Sequence, residues 1–481
     1  MKIRMLSAAV LAALSASPAA AQDTWTVRAP APPGLSREAA QATTLRHVQN
    51  LIRINTENPP GNELATAMYF DSVLRAVPGV ETHVLRAAEG RANFVARLRA
   101  GRPRQKPVLV MGHMDVVGAD TTKWETDPFV PTIQGGYLYG RGAIDDKGML
   151  AATLTALVEL AKQRDRLDRD IVFFATAGEE GGPAVGVDWV IEHHRDLIGD
   201  AEFALNEGGR IRVDAGRIRT VNIQTTEKVY YNVVARARGT SGHGSVPLPD
   251  NALAALARAV ARVHEWRAPV SLNETTSIYF QRLATIEEDA EVKRAMEELT
   301  APGAPQEQID RAAAVLSRDP LHNAVLRAGA SLTLLNGGFR SNVIPSEGTA
   351  TFNVRILPGE DIGRIVAMMN QADGEEQVTF TLEGQPAQAP PPSPVTTELF
   401  RAMEQAANAM APGATVIPFM STGATDGAAL RAIGIPTYGI LPMPLPMEDE
   451  LRMHGDNERV PVPALGWATE YLYRVLRQVA S

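Results

Sequence analysis

The 481-residue sequence contains no cysteine. That absence excludes disulfides, thiolate metal sites and cysteine nucleophiles together. Basic charge is also scarce: 47 Lys and Arg stand against 55 Asp and Glu, a formal net charge of −8. This is the wrong sign for a nucleic-acid-binding surface. Neither G-x-S-x-G nor H-E-x-x-H occurs, so the serine nucleophile elbow and the single-zinc protease helix both lack support. Beyond the N-terminus no apolar run reaches the roughly 20 residues that a bilayer span needs. What is present is 45% hydrophobic and 21% charged, enough for a large core and a soluble surface. The length suits one oversized domain or two to three ordinary ones. A soluble enzyme and a soluble binding protein both remain open.

The first residues read as a targeting segment. Lys2 and Arg4 precede an apolar run from Leu6 to Ala16, followed by Ser17-Pro18-Ala19-Ala20-Ala21. A basic start, a short apolar stretch and a small-residue site predict a signal peptide over 1–21, cleaved after Ala21. The run is too short for a stable membrane anchor. Export to a bacterial periplasm is the expected destination, which the lack of cysteine permits.

After a Pro-rich lead-in, Ser36 is placed as the N-cap of a helix that runs to about Ile54, and a second helix follows from Glu63. Short apolar runs at Asn93–Leu98, Val108–Gly112, Ile171–Ala177 and Glu202–Leu205 then alternate with helical stretches such as Met149–Lys162. That alternation predicts an α/β fold with a doubly wound, mostly parallel sheet. From about Glu227 the pattern changes to period-2 strands, Val229–Ala237, Gly348–Leu357 and Val378–Leu382, with helices between them. These mark an α+β module over 227–386, carrying an Ala/Glu/Arg-rich helical insertion over about 285–328. Residues 22–226 and 387–481 form the α/β domain into which the module is inserted.

Polar residues cluster where the predicted strands end. Val108–Gly112 runs into His113-Met114-Asp115, Ile171–Ala177 into Gly178-Glu179-Glu180, and Phe203–Leu205 into Asn206-Glu207-Gly208-Gly209. Open α/β sheets bind ligands beyond the carboxyl ends of their strands, so these segments can converge. Between them lies the Gly-rich loop Tyr139-Gly140-Arg141-Gly142-Ala143-Ile144-Asp145-Asp146-Lys147-Gly148, and Met453-His454-Gly455-Asp456-Asn457-Glu458 follows a late strand. Each signal alone is weak. Together, two histidines and several carboxylates without cysteine suit a divalent metal such as Zn²⁺. Asp115, two residues after His113, can fix the imidazole's orientation. The surplus of carboxylates suggests two metals sharing one of them.

These motifs, with Ser341-Asn342-Val343-Ile344-Pro345, resemble the di-zinc metallopeptidase family of aminoacylase, acetylornithine deacetylase, succinyl-diaminopimelate desuccinylase and glutamate carboxypeptidase. Trp124-Glu125-Thr126-Asp127-Pro128-Phe129 and the helical insertion look like the branch of carboxypeptidase S and the secreted N-acyl-amino-acid hydrolases. The resemblance implies that His113 and Glu207 hold one zinc, Glu180 and His454 the other, and that Asp145 bridges them; Co²⁺ or Mn²⁺ is an alternative metal. It implies a cis peptide at Asp145–Asp146, Asp115 orienting His113, and Glu179 as the general base. The inserted module becomes a lid and dimerisation domain of a homodimer, with His243 stabilising the oxyanion across subunits. Asn342 and Arg355 are expected to bind the substrate's carboxylate, and the Ser421–Asp426 loop, with Gly423, its backbone. Asp146 departs from the family, where many members have Met.

The implied activity is hydrolysis of the amide bond to a C-terminal free amino acid, in peptides or N-acyl amino acids. A dipeptidase of the same family is the alternative. A non-catalytic solute-binding protein also fits export and two lobes, although it has no need of Glu179 beside Glu180 or of His454 on the same crevice.

Overall fold

A computed structural model of the chain describes residue 27, residues 29–385 and residues 389–481. The predicted signal peptide, 1–21, and the predicted domain boundary at 386/387 lie outside the described residues. The fold is α/β, built on a mostly parallel eight-stranded sheet. In spatial order its strands are Val80–Ala88, Arg91–Leu98, Arg169–Thr176, Gln105–His113, Phe203–Asp214, Thr437–Pro446, Arg217–Glu227 and Thr415–Ser421. The strands from Arg169–Thr176 to Thr437–Pro446 are mutually parallel. Antiparallel pairs occur within the Val80–Leu98 hairpin, between Arg91–Leu98 and Arg169–Thr176, and where Arg217–Glu227 meets Phe203–Asp214 and Thr437–Pro446; the edge strand Thr415–Ser421 runs parallel to Arg217–Glu227.

Helices cover both faces of this sheet, as the alternating pattern requires. Arg169–Thr176 is buried at every position, and its successive side chains serve different layers. Phe173 joins Leu51, Leu150 and Tyr471 under helices Arg37–Arg53, Lys147–Ala161 and Val462–Val479. Phe174 packs with Val190 and Leu430 on the other side. The first helix starts where its cap residue dictates, since the Ser36 side chain accepts from the Ala39 N–H at 3.4 Å.

The inserted module begins one residue after a catalytic-sheet strand ends, with Lys228 alone between Arg217–Glu227 and Val229–Arg238. Its four strands run Gly329–Gly337, Glu347–Ile356, Val229–Arg238 and Val378–Glu383, all antiparallel. Helices Ala252–Glu265 and Ile362–Asp373 cover one face. Helices Glu274–Ala284, Ala290–Leu299, Gln306–Leu316 and Pro320–Leu326 build a separate core. That core includes Ile417, Phe419 and Met420 of the catalytic sheet's edge strand, so the helical segment rests on both domains.

One expectation is corrected. The sequence pattern ends a strand at Leu205 and places Glu207 in the loop beyond, whereas the strand continues through Asp214. Its register against the neighbouring strand jumps between Gly439/Asn206 and Leu441/Arg210. Glu207 therefore sits at an irregularity inside a long strand, the kind of place where a side chain is re-aimed without ending the sheet. Glycines make this possible: Gly208 has φ 129°, and a Cβ at Gly209 would lie 2.1 Å from the Asn222 carbonyl.

Candidate metal centre

Asp145 stands at the meeting point of the two histidines. His113 Nε2 lies 2.8 Å from Asp145 Oδ1, and His454 Nε2 lies 3.0 Å from Asp145 Oδ2. The same His454 nitrogen is 3.0 Å from Glu180 Oε1. Ligand atoms of His113, Asp145 and Glu180 fall within 4.8 Å of one another. Strand 105–113, the Gly-rich loop, the turn after strand 169–176 and the late 453–458 turn thus deliver donors to one point. The peptide between Asp145 and Asp146 is cis.

His113 is almost wholly buried, at 2% exposure. Its Nδ1 is 3.0 Å from the main-chain oxygen of Asp115, while the Asp115 carboxylate is 3.7 Å away. That carboxylate instead accepts from Asn58 Nδ2 at 2.8 Å and from the Glu179 and Glu180 N–H groups at 3.1 Å each. Asp115 therefore touches the histidine through its backbone and fixes the Glu179–Glu180 turn through its side chain. Asn58 was legible in the sequence only as part of a helix-breaking Asn-Pro-Pro-Gly. Its role comes from a tertiary bridge, in which Asn58 N–H donates to the Val116 carbonyl at 2.9 Å.

The electrostatics of the cluster are those of too many acids in too little water. Burial, reinforced by Asp145, pushes Glu207 up to about 8. Burial also holds Glu179 well above the usual carboxylate range and Asp426 up to about 7. Hydrogen bonds to Asp145 and Glu180 push His454 up to about 10. Burial opposes a proton on His113, but Asp115 and Asp145 outweigh it. Both oxygens of Asp146 are buried without a hydrogen-bond partner, and burial pushes that carboxyl well above the usual carboxylate range. Divalent cations would replace these protons as counter-charge. Imidazole nitrogens and carboxylate oxygens without sulfur form a donor set that fits zinc and its neighbours. The residues present fit the expected metals.

The remaining predicted residues lie on the lid and its approaches. His243 pairs with Val343 in a two-residue ladder, and Gly244 N–H donates to the Asn342 carbonyl at 2.8 Å. His243 and Asn342 are thus neighbours on an exposed rim. Ser245 N–H donates to His243 Nδ1 at 3.2 Å, which leaves the neutral ring's proton on Nε2. Arg355 sits across the ladder from Tyr230 and over its ring, 5.1 Å from the centroid. Its Nε donates to Asn353 Oδ1 at 2.9 Å, and its buried Nη1 has no hydrogen-bond partner.

Gly423 lies in the exposed turn after strand 415–421, its N–H donating to Ser421 Oγ at 3.1 Å. Farther along that turn, Thr425 donates through N and Oγ1 to the buried Glu227, and Asp426 accepts from Thr176 Oγ1 at 2.6 Å. Thr176 directly precedes the Ala177-Gly178-Glu179-Glu180 turn, so this loop borders the cluster.

A model of peptidase family M20/M25/M40 matches residues 109–478. Human N-fatty-acyl-amino acid synthase/hydrolase PM20D1 is 27% identical over 389 residues, covering 79% of this chain and 75% of that protein. "Probable carboxypeptidase S-like 2" of Dictyostelium discoideum is 28% identical over 393 residues, covering 77% of this chain and 71% of that one. Among solved structures, the M20 family metallo-carboxypeptidase Sso-CP2 from Sulfolobus solfataricus superposes with a TM-score of 0.65 at 19% identity, covering 90% of this chain and 98% of that one.

Proposed function

This chain belongs to peptidase family M20/M25/M40 and is a metal-dependent hydrolase of amide bonds; from that premise we propose that it releases a C-terminal free amino acid from peptides or N-acyl amino acids. The observation that carries the reading is the junction of His113, Asp145, Glu180 and His454, with Glu179 one residue from a ligand. The carboxypeptidase and fatty-acyl-amino-acid names of the relatives favour this branch over a dipeptidase. We read the site as holding two divalent ions, with His113 and Glu207 on one side, Glu180 and His454 on the other, and Asp145 shared. When bound, such ions polarise the scissile carbonyl and lower the pKa of water.

The protein's own groups divide the remaining work. Glu179, whose carboxyl is held up by burial and by the neighbouring acids, takes the proton from the attacking water and gives it to the leaving amine. His243, protonated on Nε2, donates to the oxygen that gains charge. We assign the substrate's carboxylate to Arg355, whose buried Nη1 has no protein partner, with Asn342 beside His243 on the rim.

Partnering and location belong to the same proposal. Strand Gly329–Gly337 is an open edge of the lid sheet, and Leu334 and Leu335 are exposed on it. Such an edge suits pairing with a second copy, and we read the enzyme as a homodimer. No described helix is long and apolar enough to cross a membrane, and residues 1–21 read as an export signal to a periplasm. Zinc-loaded protein offered matched N-acyl amino acids with free or amidated carboxyl ends tests the central reading. Turnover should fall sharply with amidation; equal turnover would reject the carboxylate-directed orientation.

A further inference from the structure

The structure assigns Arg141 and Glu458 a joint role as positioning residues for Asp145 and His454, an inference that rests on the metal-centre reading above. The two side chains are among the most deeply buried charges in the chain, at 2% and 0% exposure. Arg141 Nη1 donates to Glu458 Oε2 at 2.8 Å, and the Trp124 ring lies 5.2 Å from the guanidinium carbon.

Each member of the pair grips the loop that carries the other. Glu458 belongs to the His454 turn, yet its carboxylate accepts from the N–H groups of Gly142 at 3.0 Å, Ile144 at 2.7 Å and Asp145 at 3.2 Å. Arg141 belongs to the Asp145 loop, yet its Nη2 donates to the Gly455 carbonyl at 2.9 Å and approaches that of His454 at 3.5 Å. Outside this crossing, Tyr137–Tyr139 pairs antiparallel with Arg459–Pro461. Two segments more than 300 residues apart are therefore laced together on the flank of the metal centre.

The lacing answers a need visible in the backbone. His454 has φ 61° and Asn457 φ 56°, left-handed conformations uncommon for residues with a side chain, though less costly for His and Asn than for most. Arg141 holds the carbonyl side of that turn, and the Asn457 side chain is held by the Glu125 N–H at 2.7 Å. The Arg141 guanidinium offsets the Glu458 charge, so the pair as a whole adds no net charge beside the acids. Among the described residues no ion pair spans His113 and Glu207, which lie on strands of the central sheet. The clamp therefore holds the shared Asp145 together with His454, and so bears more on the His454 ion than on the ion held by His113 and Glu207.

Metal titration of the full chain tests this. Zn²⁺ binding and the visible spectrum of the Co²⁺-loaded protein are measured for wild type, Glu458→Gln and Arg141→Lys, with cooperative thermal unfolding as the check on folding. Wild type should take up two ions. Glu458→Gln should weaken the ion on the His454 side by about 10–100-fold, as loss of a ligand's supporting partner does, and weaken the other, which shares only Asp145, by less. Arg141→Lys keeps the ion pair but not the planar fork, so it should weaken the same site by less and shift the Co²⁺ spectrum in the same direction.

Folded variants with two wild-type affinities and an unchanged spectrum would overturn the assignment, since a purely structural pair leaves both untouched. Equal weakening of both sites would overturn its selectivity. A wild-type chain that takes up no metal would overturn the metal-centre reading itself, and is recognised from the wild-type titration alone.

Discussion

The catalytic sheet and the lid hold their polar residues in opposite ways. Around Asp145 each group is fixed from several distant segments: Asp115 alone joins Asn58, Glu179 and Glu180. On the lid, His243 leans on Ser245 in its own turn, and both His243 and Asn342 are exposed. Charge must be handled in a dry, rigid place, because reorganisation there is what a reaction would otherwise have to wait for. Substrate capture needs access instead, and a rim tied down by a two-residue ladder provides it. His454, with half of its side chain exposed, is where the buried cluster itself opens to solvent.

The largest expected effect lies on the rigid side. Glu179→Gln removes a proton carrier and no ligand, so kcat should fall by on the order of 10²–10⁴ while elemental analysis still finds the metals. A near-wild-type rate would remove Glu179 from the mechanism. Its counterpart on the lid, His243→Ala, should lower kcat by about 10²–10³ without changing metal content. Refolding the His243→Ala chain together with Glu179→Ala tests whether the lid serves its neighbour. Random pairing restores about a quarter of wild-type activity if His243 acts across the dimer, and none if it acts within its own chain.

Arg355→Lys is expected to be milder, lowering kcat/KM by roughly tenfold to a hundredfold on free-acid substrates because an ammonium cannot reproduce the planar fork. The same substitution should change little on amidated ones, and an equal loss on both would make Arg355 a packing residue of the lid. The smallest effect is one of pH. Without metal, His454 is held up to about 10 by Asp145 and Glu180, so it carries a proton through the neutral range. A metal requires the neutral ring, so uptake displaces that proton. Affinity should then rise with pH up to about 10 and fall on acidification, by about tenfold per unit for each proton displaced. Zinc titrations in weak buffer at pH 6 and pH 8 would show the released protons; a pH-independent affinity would exclude His454 as a ligand.

Much of the architecture was legible because it repeats locally. The burial runs of strands 105–113 and 169–176 and the Ser36 cap follow from residues next to one another. Strand Gly329–Gly337 was not legible because it is exposed at nearly every position, and Val80–Ala88 because its alternating inward positions are mostly only half-buried and include polar residues such as Thr82. The Glu207 irregularity was missed for a related reason. Asn206-Glu207-Gly208-Gly209 has the composition of a turn, and only pairing with the strands on both sides keeps it in the sheet.

By itself, then, the sequence determined which chemistry was on offer: histidines and carboxylates without thiols, beside strands that an α/β fold gathers along one edge. It also determined the inserted order of the two domains, because the hydrophobic period changes at about Glu227. Tertiary structure alone decided how those groups are aimed. That Asp115 serves the histidine through its carbonyl and the Glu179–Glu180 turn through its carboxylate depends on a contact with Asn58, 57 positions away. That Glu458 supports the Asp145 loop depends on one 313 positions away. Composition and periodicity report what neighbours along the chain prefer. A hydrogen bond between distant segments exists only after the core has set their backbones a few ångströms apart, and no local preference encodes that distance.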